Sequence, residues 1–281
     1  MAFHSVDQRN DEVNSDETMP RHRIAVATAA FDQSLRQSFQ TARKVGAHGV
    51  HLNARTEVRP TEYSETGIRQ LLHEISESGM SVASLSFPTR RSFYDQDQLE
   101  ARVAATKIAM EFTRKLNAKV LTLRVGSIPS DPDTNEYRLL VDVLNELARH
   151  GNHVGTSLSI TPTREQPELL LQLVESAIEG HVNIDFDPAR FAMAGISASD
   201  SFRQLHKDIG HIRIRDGVRD IDGGGMEVAV GRGDIDWDEL LAMIDESTYS
   251  GWLTVERTTG EDRILDSHQA IQFVTNVARG A

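Results

Sequence analysis

The sequence predicts an α/β fold, a single (β/α)8 barrel with eight parallel strands. Three observations carry the prediction. From residue 23 onward, eight short runs rich in β-branched residues alternate strictly with eight longer helical stretches, the pattern that builds a parallel sheet. Eight such repeats in about 250 residues fit closure into a TIM barrel. No Gly-x-Gly-x-x-Gly follows the first strand, as the runner-up, an open doubly wound sheet, would ask.

The strands are read in order as RIAVATA (23–29), GVHLNAR (49–55), MSVASLSF (80–87), AKVLTLRV (118–125), VGTSLSIT (154–161), HVNIDFD (181–187), GHIRIRD (210–216) and GWLTVE (251–256). Helical patterns fill 33–45, 64–78, 96–116, 135–150, 166–179, 198–207, 236–246 and 266–278. The helix over 96–116 sets Leu99, Val103, Ile108, Phe112 and Leu116 on one apolar stripe. Asp236 followed by Glu239 is a capping box opening the seventh helix. No linker divides the chain, so residues 23–281 form one TIM-barrel domain. Residues 1–22 are polar and acidic and are expected to be a disordered tail.

Composition narrows the function. There are no cysteines among the 281 residues, which excludes disulfides, thiol nucleophiles and thiolate metal sites. Net charge is −12, which repels nucleic acid and makes any anion binding local. No apolar run approaches the ~20 residues of a membrane helix. The N-terminus lacks the apolar core of a signal peptide, and a cytoplasmic protein without a membrane partner is expected.

The strands themselves are unusual. Parallel-barrel strands usually read as continuous apolar runs, but these alternate. His51, Asn53 and Arg55 alternate with Val50 and Leu52, and Asn183, Asp185 and Asp187 with Val182, Ile184 and Phe186. In HIRIRDG (211–217), Ile212 and Ile214 alternate with His211, Arg213 and Arg215. Each covering helix needs an apolar floor, so the polar set points into the barrel. Arg213 and Arg215 are therefore expected inside, near Asp185 and Asp187. A structural ion-pair network is the bland account of that cluster. The strand ends argue for more, because barrel enzymes place their sites there. Arg55, Arg90, Arg91, Arg124, Arg164, Arg190, Arg213, Arg215 and Arg257 lie at or just past strand ends, against Asp187, Asp216 and Glu256. An arginine-rich mouth on an acidic protein suits a carboxylate or phosphate ligand. The glycines of DGGG (222–225) are read as a flexible loop rather than a phosphate cradle.

HIRIRDG followed by GRGDIDW (231–237), with DFDPARF (185–191), YSGWLTVE (249–256) and FPTRR (87–91), resembles the xylose isomerase-like TIM barrels. These form the superfamily of sugar phosphate isomerases and epimerases. The resemblance covers about residues 23–278. It implies a divalent metal at the mouth, held by a Glu, an Asp, a His and a Glu from the last four strands, the two Glu serving proton transfer at a sugar carbon. Asp187 and Glu256 match the Asp and the last Glu. Thr161 stands where the other Glu is implied and Arg213 where the His is implied, and guanidinium cannot ligate a metal. Arg124 and Arg190 also replace implied histidines, and Arg232 the acid of Gly-Glu-Gly. No cofactor is therefore expected. Mg²⁺ or Mn²⁺ at Asp187 and Glu256 would be held weakly. Arg213 is expected between Asp187 and Glu256, balancing both in the metal's place.

The expected function is an isomerase or epimerase of sugars or sugar phosphates, acting by proton transfer next to a carbonyl. Glu256, Asp187 and Arg213 form the catalytic set. Asn53, Arg55, Arg90, Arg124, Thr161, Arg190, Arg215 and Asp216 bind the anionic sugar-like ligand. The alternative is a pseudoenzyme that binds an anionic sugar or carboxylate without turnover. Relatives often form dimers or tetramers, so the resemblance leaves a homo-oligomer open.

Overall fold

The computed structural model describes residues 23–220 and 223–280. The expected disordered tail over 1–22 lies outside the described residues, as does part of the glycine loop. Eight strands pair in parallel and close into a barrel. They are β1 (Arg23–Ala27), β2 (Gly49–Asn53), β3 (Ser81–Ser86), β4 (Val120–Leu123), β5 (Ser157–Ile160), β6 (Val182–Phe186), β7 (Ile209–Ile214) and β10 (Trp252–Val255). β10 closes the ring between β7 and β1. Two further strands, β8 (Asp216–Val218) and β9 (Met226–Val228), form an antiparallel hairpin beside the barrel.

Nine α-helices occupy the described residues: α1 (Leu35–Lys44), α2 (Glu65–Glu77), α3 (Leu99–Lys115), α4 (Asn135–Val154), α5 (Pro167–Glu175), α6 (Pro188–Ala194), α7 (Ala198–Leu205), α8 (Trp237–Glu246) and α9 (Arg263–Gly280). All eight expected helices are present. α6 is extra, hidden in the sequence behind the proline turn DFDPARF. Pro188 stands at its first turn, where no N–H is needed, and Gly195 closes it with a left-handed φ of 74°. Local chemistry opens the others. Asp236 accepts from the Glu239 N–H at 3.0 Å, so the capping pattern does open α8. Ser64, Thr134 and Ser197 cap α2, α4 and α7 in the same way.

The alternation sorts as expected. Val50, Leu52, Leu85, Leu121, Ile184, Phe186, Ile212 and Ile214 are fully buried and belong to one continuous apolar core. Each such side chain removed from water stabilises the fold by about 1.5–3 kcal/mol. One residue departs from the apolar stripe of α3. Val103, Phe112 and Leu116 are buried, whereas Ile108 is 44% exposed. At eighteen residues the stripe drifts around the helix, and Thr106, Ala109, Met110 and Thr113 take the inward face instead.

Candidate functional site

Polar side chains fill the barrel axis in two layers, set by residues two apart on the same strands. A register shift between Ile184 and Asp185 brings Asp185 opposite His211 on β7. In the lower layer Asp185 is fully buried. One carboxylate oxygen pairs with His211 Nδ1 at 2.7 Å. The other accepts from Thr161 Oγ1 at 2.6 Å and Arg213 Nε at 2.8 Å. His211 Nε2 lies 2.9 Å from both Ser84 Oγ and Thr254 Oγ1, and Ser84 Oγ lies 2.7 Å from His51 Nδ1. His51 Nε2 has no partner. Burial, with the charges of Arg213 and His211, pushes the His51 pKa down to about 3, which keeps its ring neutral. For Asp185, burial opposes ionisation, but Arg213 and His211 outweigh it and hold the carboxyl well below its ordinary value.

Arg213 links the layers. Its Nη2 reaches Thr122 Oγ1 at 3.2 Å and its Nη1 donates to Glu256 Oε2. Arg213 was expected between Asp187 and Glu256; the structure places it between Asp185 and Glu256. Asp187 goes to Arg215, whose Nη1 donates to Asp187 Oδ2 and whose Nη2 donates to Glu227 Oε2 at 3.0 Å. Register is the reason: Asp185 stands opposite His211, so Arg213, two residues further on, reaches back to Asp185, and Arg215 in turn takes Asp187. Asp187 is free to do this because it begins α6 without capping it. Burial works against ionised Glu256, yet Arg213 and Arg215 bring its pKa down to about 2. Both guanidinium groups are themselves raised, as neighbouring carboxylates overcome desolvation.

Above the upper layer opens a cavity of about 210 Å³. Glu256, Asp187, Arg213, Asn53, Arg124, Thr161, Arg190 and Arg215 all line it. Three buried atoms in this layer lack partners: Asp187 Oδ1, Arg190 Nε and Arg215 Nε. Arg190 Nε is 3.8 Å from Asp187 Oδ2, an ion pair without a hydrogen bond. Arg124 has no carboxylate within ion-pair distance among the described residues. Its pKa is lowered by partial burial and by the charges of Arg190 and Arg213. Asn53 uses its side-chain oxygen locally, accepting from Arg55 N and Thr56 N at 2.9 and 3.1 Å.

Three expected ligand contacts fall elsewhere. Asp216 does not line the cavity. Its buried carboxylate accepts from Gly217 N, Gly231 N, Gly233 N and Trp237 Nε1 at 2.8–3.1 Å. It therefore anchors the GRGDIDW loop. A Cβ at Gly233 would lie 1.9 Å from Asp216 Oδ1, which explains glycine there. Arg55 and Arg90 line a separate neighbouring groove; Arg55 follows the Asn53-centred turn after β2, and Arg90 lies in the loop after β3. Conversely, Glu227 and Thr258 were not anticipated. Thr258 lines the cavity, and its N donates to Glu227 Oε1 at 2.9 Å. No strand is expected over MEV (226–228), and nothing local points Glu227 at Arg215. Glu165, four residues past Thr161, accepts from Thr163 N and Arg164 N at 2.6 and 3.0 Å and organises its own loop.

Residues 39–276 match the profile of the family described as xylose isomerase-like TIM barrel. Inosose dehydratase of Clostridium beijerinckii is 23% identical over 218 residues, 63% of this chain and 69% of that one. The fold also recurs in solved structures. A xylose isomerase domain protein from Planctomyces limnophilus aligns with a TM-score of 0.81 at 20% identity, covering 92% of this chain and 98% of the other. A xylose isomerase-like TIM-barrel protein from Mycobacterium smegmatis, in complex with magnesium, gives 0.75 at 14%, covering 92% and 97%. A D-psicose 3-epimerase gives 0.73 at 15%, covering 91% and 99%. Among the described residues no helix is long and apolar enough to cross a membrane.

Proposed function

From the premise that the chain belongs to the xylose isomerase-like TIM-barrel family, we propose that it binds a small anionic sugar-like molecule, a sugar acid or sugar phosphate, in the barrel mouth. There it moves a proton at the carbon next to the ligand's carbonyl. The observation that carries the binding half is unbalanced charge. Arg124 stands over the cavity with no acidic partner among the described residues, beside Arg190 and Arg213. A ligand carboxylate or phosphate supplies that charge with forked geometry. The epimerase and dehydratase relatives make sugar-like chemistry the natural class.

A resident metal does not fit this donor set. Among the described residues no three His, Asp or Glu side chains are grouped to hold one. Asp187 and Glu256 are each engaged by a guanidinium, and Thr161 and Arg213 stand where the resemblance implies the other two ligands. The proposed chemistry therefore runs on this chain's own charges. Glu256, ionised at neutral pH, takes the proton from carbon. The electron pair moves onto the carbonyl oxygen, and the positive charge of Arg213 and Arg124 stabilises that oxygen as it becomes anionic. Asp187, with Oδ1 unpartnered, is the second proton carrier facing the cavity. A proton delivered from solvent through Asp187 to the opposite face of the same carbon gives epimerisation, while return of the proton to the former carbonyl carbon, with the hydroxyl proton passing to the former carbonyl oxygen, gives isomerisation.

One observation favours binding without turnover: Glu256 sits in an ion pair and its pKa near 2 makes it a weak base. Incubation with keto-sugar acids and ketose phosphates in D₂O separates the readings by NMR. Deuterium appearing next to the carbonyl, and lost in Glu256→Gln with binding retained, is the expected result. Tight binding without exchange in any ligand leaves the pseudoenzyme.

A further inference from the structure

We propose that the groove beside the mouth is a second anion site, which takes the phosphate-bearing segment of an organic ligand. The groove measures about 960 Å³ and shares Pro88 with the mouth cavity. Its lining carries five arginines and no Asp or Glu, in a chain of net charge −12. Three of these arginines are already engaged. Arg59 pairs with Glu62 at 3.0 Å, Arg91 with Asp95 and Asp97 at 2.9 and 3.0 Å, and Arg102 bonds the backbone carbonyls of Asp95 and Asp97.

Arg55 and Arg90 are different: neither has a carboxylate within ion-pair distance among the described residues. The Arg55 guanidinium stands over the Phe87 ring, 5.0 Å from its centroid. This cation–π contact holds the guanidinium at the ring without using its N–H groups in an ion pair, so they can meet a phosphate. The groove wall also presents Ile108, the one α3 residue of the expected apolar stripe that the fold leaves exposed. Apolar wall and free arginine forks together match a ligand with an apolar body and an anionic end. A nucleic acid polymer is disfavoured by the net charge.

This deepens the proposed function and rests on it in one respect, that the ligand's head lies in the mouth while its tail lies in the groove. The test titrates inorganic pyrophosphate into the full chain at low ionic strength, by calorimetry and by methyl NMR of Ile108. Saturable binding is expected, with the Ile108 methyl signals shifting. Arg55→Met/Arg90→Met weakens the binding that shifts Ile108 about ten-fold or more, whereas Arg124→Met changes that same binding less than about two-fold, since any phosphate taken at Arg124 lies in the mouth. If the double variant fails to fold, Arg90→Met alone, at an exposed position, carries the comparison. Absence of saturable binding overturns the site. So does loss in Arg124→Met with the groove variant unaffected, which would put pyrophosphate in the mouth. Pyrophosphate bound in the groove while no sugar acid binds at Arg124 breaks the proposed function and leaves the groove standing.

Discussion

Asp185 and Asp187 leave β6 two residues apart, and Arg213 and Arg215 leave β7 with the same spacing, yet the two pairs have different surroundings. Around Asp185, both carboxylate oxygens are taken, by His211, Thr161 and Arg213. Around Asp187, one oxygen meets Arg215 and the other makes no hydrogen bond, and Arg190 Nε and Arg215 Nε make none either, lying 3.8 and 3.9 Å from Asp187 and Glu256. A buried polar atom without a partner costs about 1–3 kcal/mol. Apart from His51 Nε2, the cluster around Asp185 is thus satisfied within itself and holds the barrel together. The upper layer carries a cost that a ligand can remove.

The comparison breaks most directly at Asp185. Asp185→Asn leaves Arg213 and His211 short of their buried counter-charge and is expected to cost about 3–5 kcal/mol. Thermal unfolding should fall by roughly 10 °C. A change within about 1 kcal/mol would show that the lower layer is not structural.

Acid sharpens the same contrast. His51 titrates near 3 when folded and near 6.5 when unfolded, so the unfolded chain binds the extra proton between those values. Stability is then full above about pH 6.5 and declines toward pH 3, by about 2 kcal/mol at pH 5 from this residue alone. Glu256, depressed to about 2, adds a second loss that begins below about pH 4.5. Denaturant unfolding from pH 7.5 to 4 should show the decline, and His51→Gln should flatten its part above pH 5.

Asp187→Asn is expected to cost less than Asp185→Asn, about 1–2 kcal/mol, because Arg215 keeps Glu227. The two denaturation midpoints check this directly. The smallest effect on stability belongs to Arg124→Met, within about 0.5 kcal/mol, as expected at an exposed position. The same variant should weaken sugar-acid binding by about ten-fold or more in calorimetry.

Much of this was legible along the chain. Period-two alternation placed Asp185, Asp187, Arg213 and Arg215 inside the barrel, because a strand's side chains must alternate faces and the helices claim the apolar one. Seven of the eleven site residues line the mouth for the same reason, and Arg190 lines it from α6. Asp216 was misplaced because its carboxylate is consumed by N–H groups fifteen or more residues later, at Gly231, Gly233 and Trp237. Arg55 and Arg90 line the neighbouring groove and not the mouth cavity because they follow the strand ends, where loop direction replaces strand alternation. Glu227 was missed because its approach to Arg215 depends on how a hairpin folds over the mouth.

The sequence by itself determined the barrel and its inward polar face. These follow from local periodicity and residue chemistry. Only the tertiary structure decided which arginine meets which carboxylate, which polar atoms are left without partners and which arginines share one cavity. Those depend on register between strands and on the paths of loops, and a charge acts through distance in space rather than along the chain.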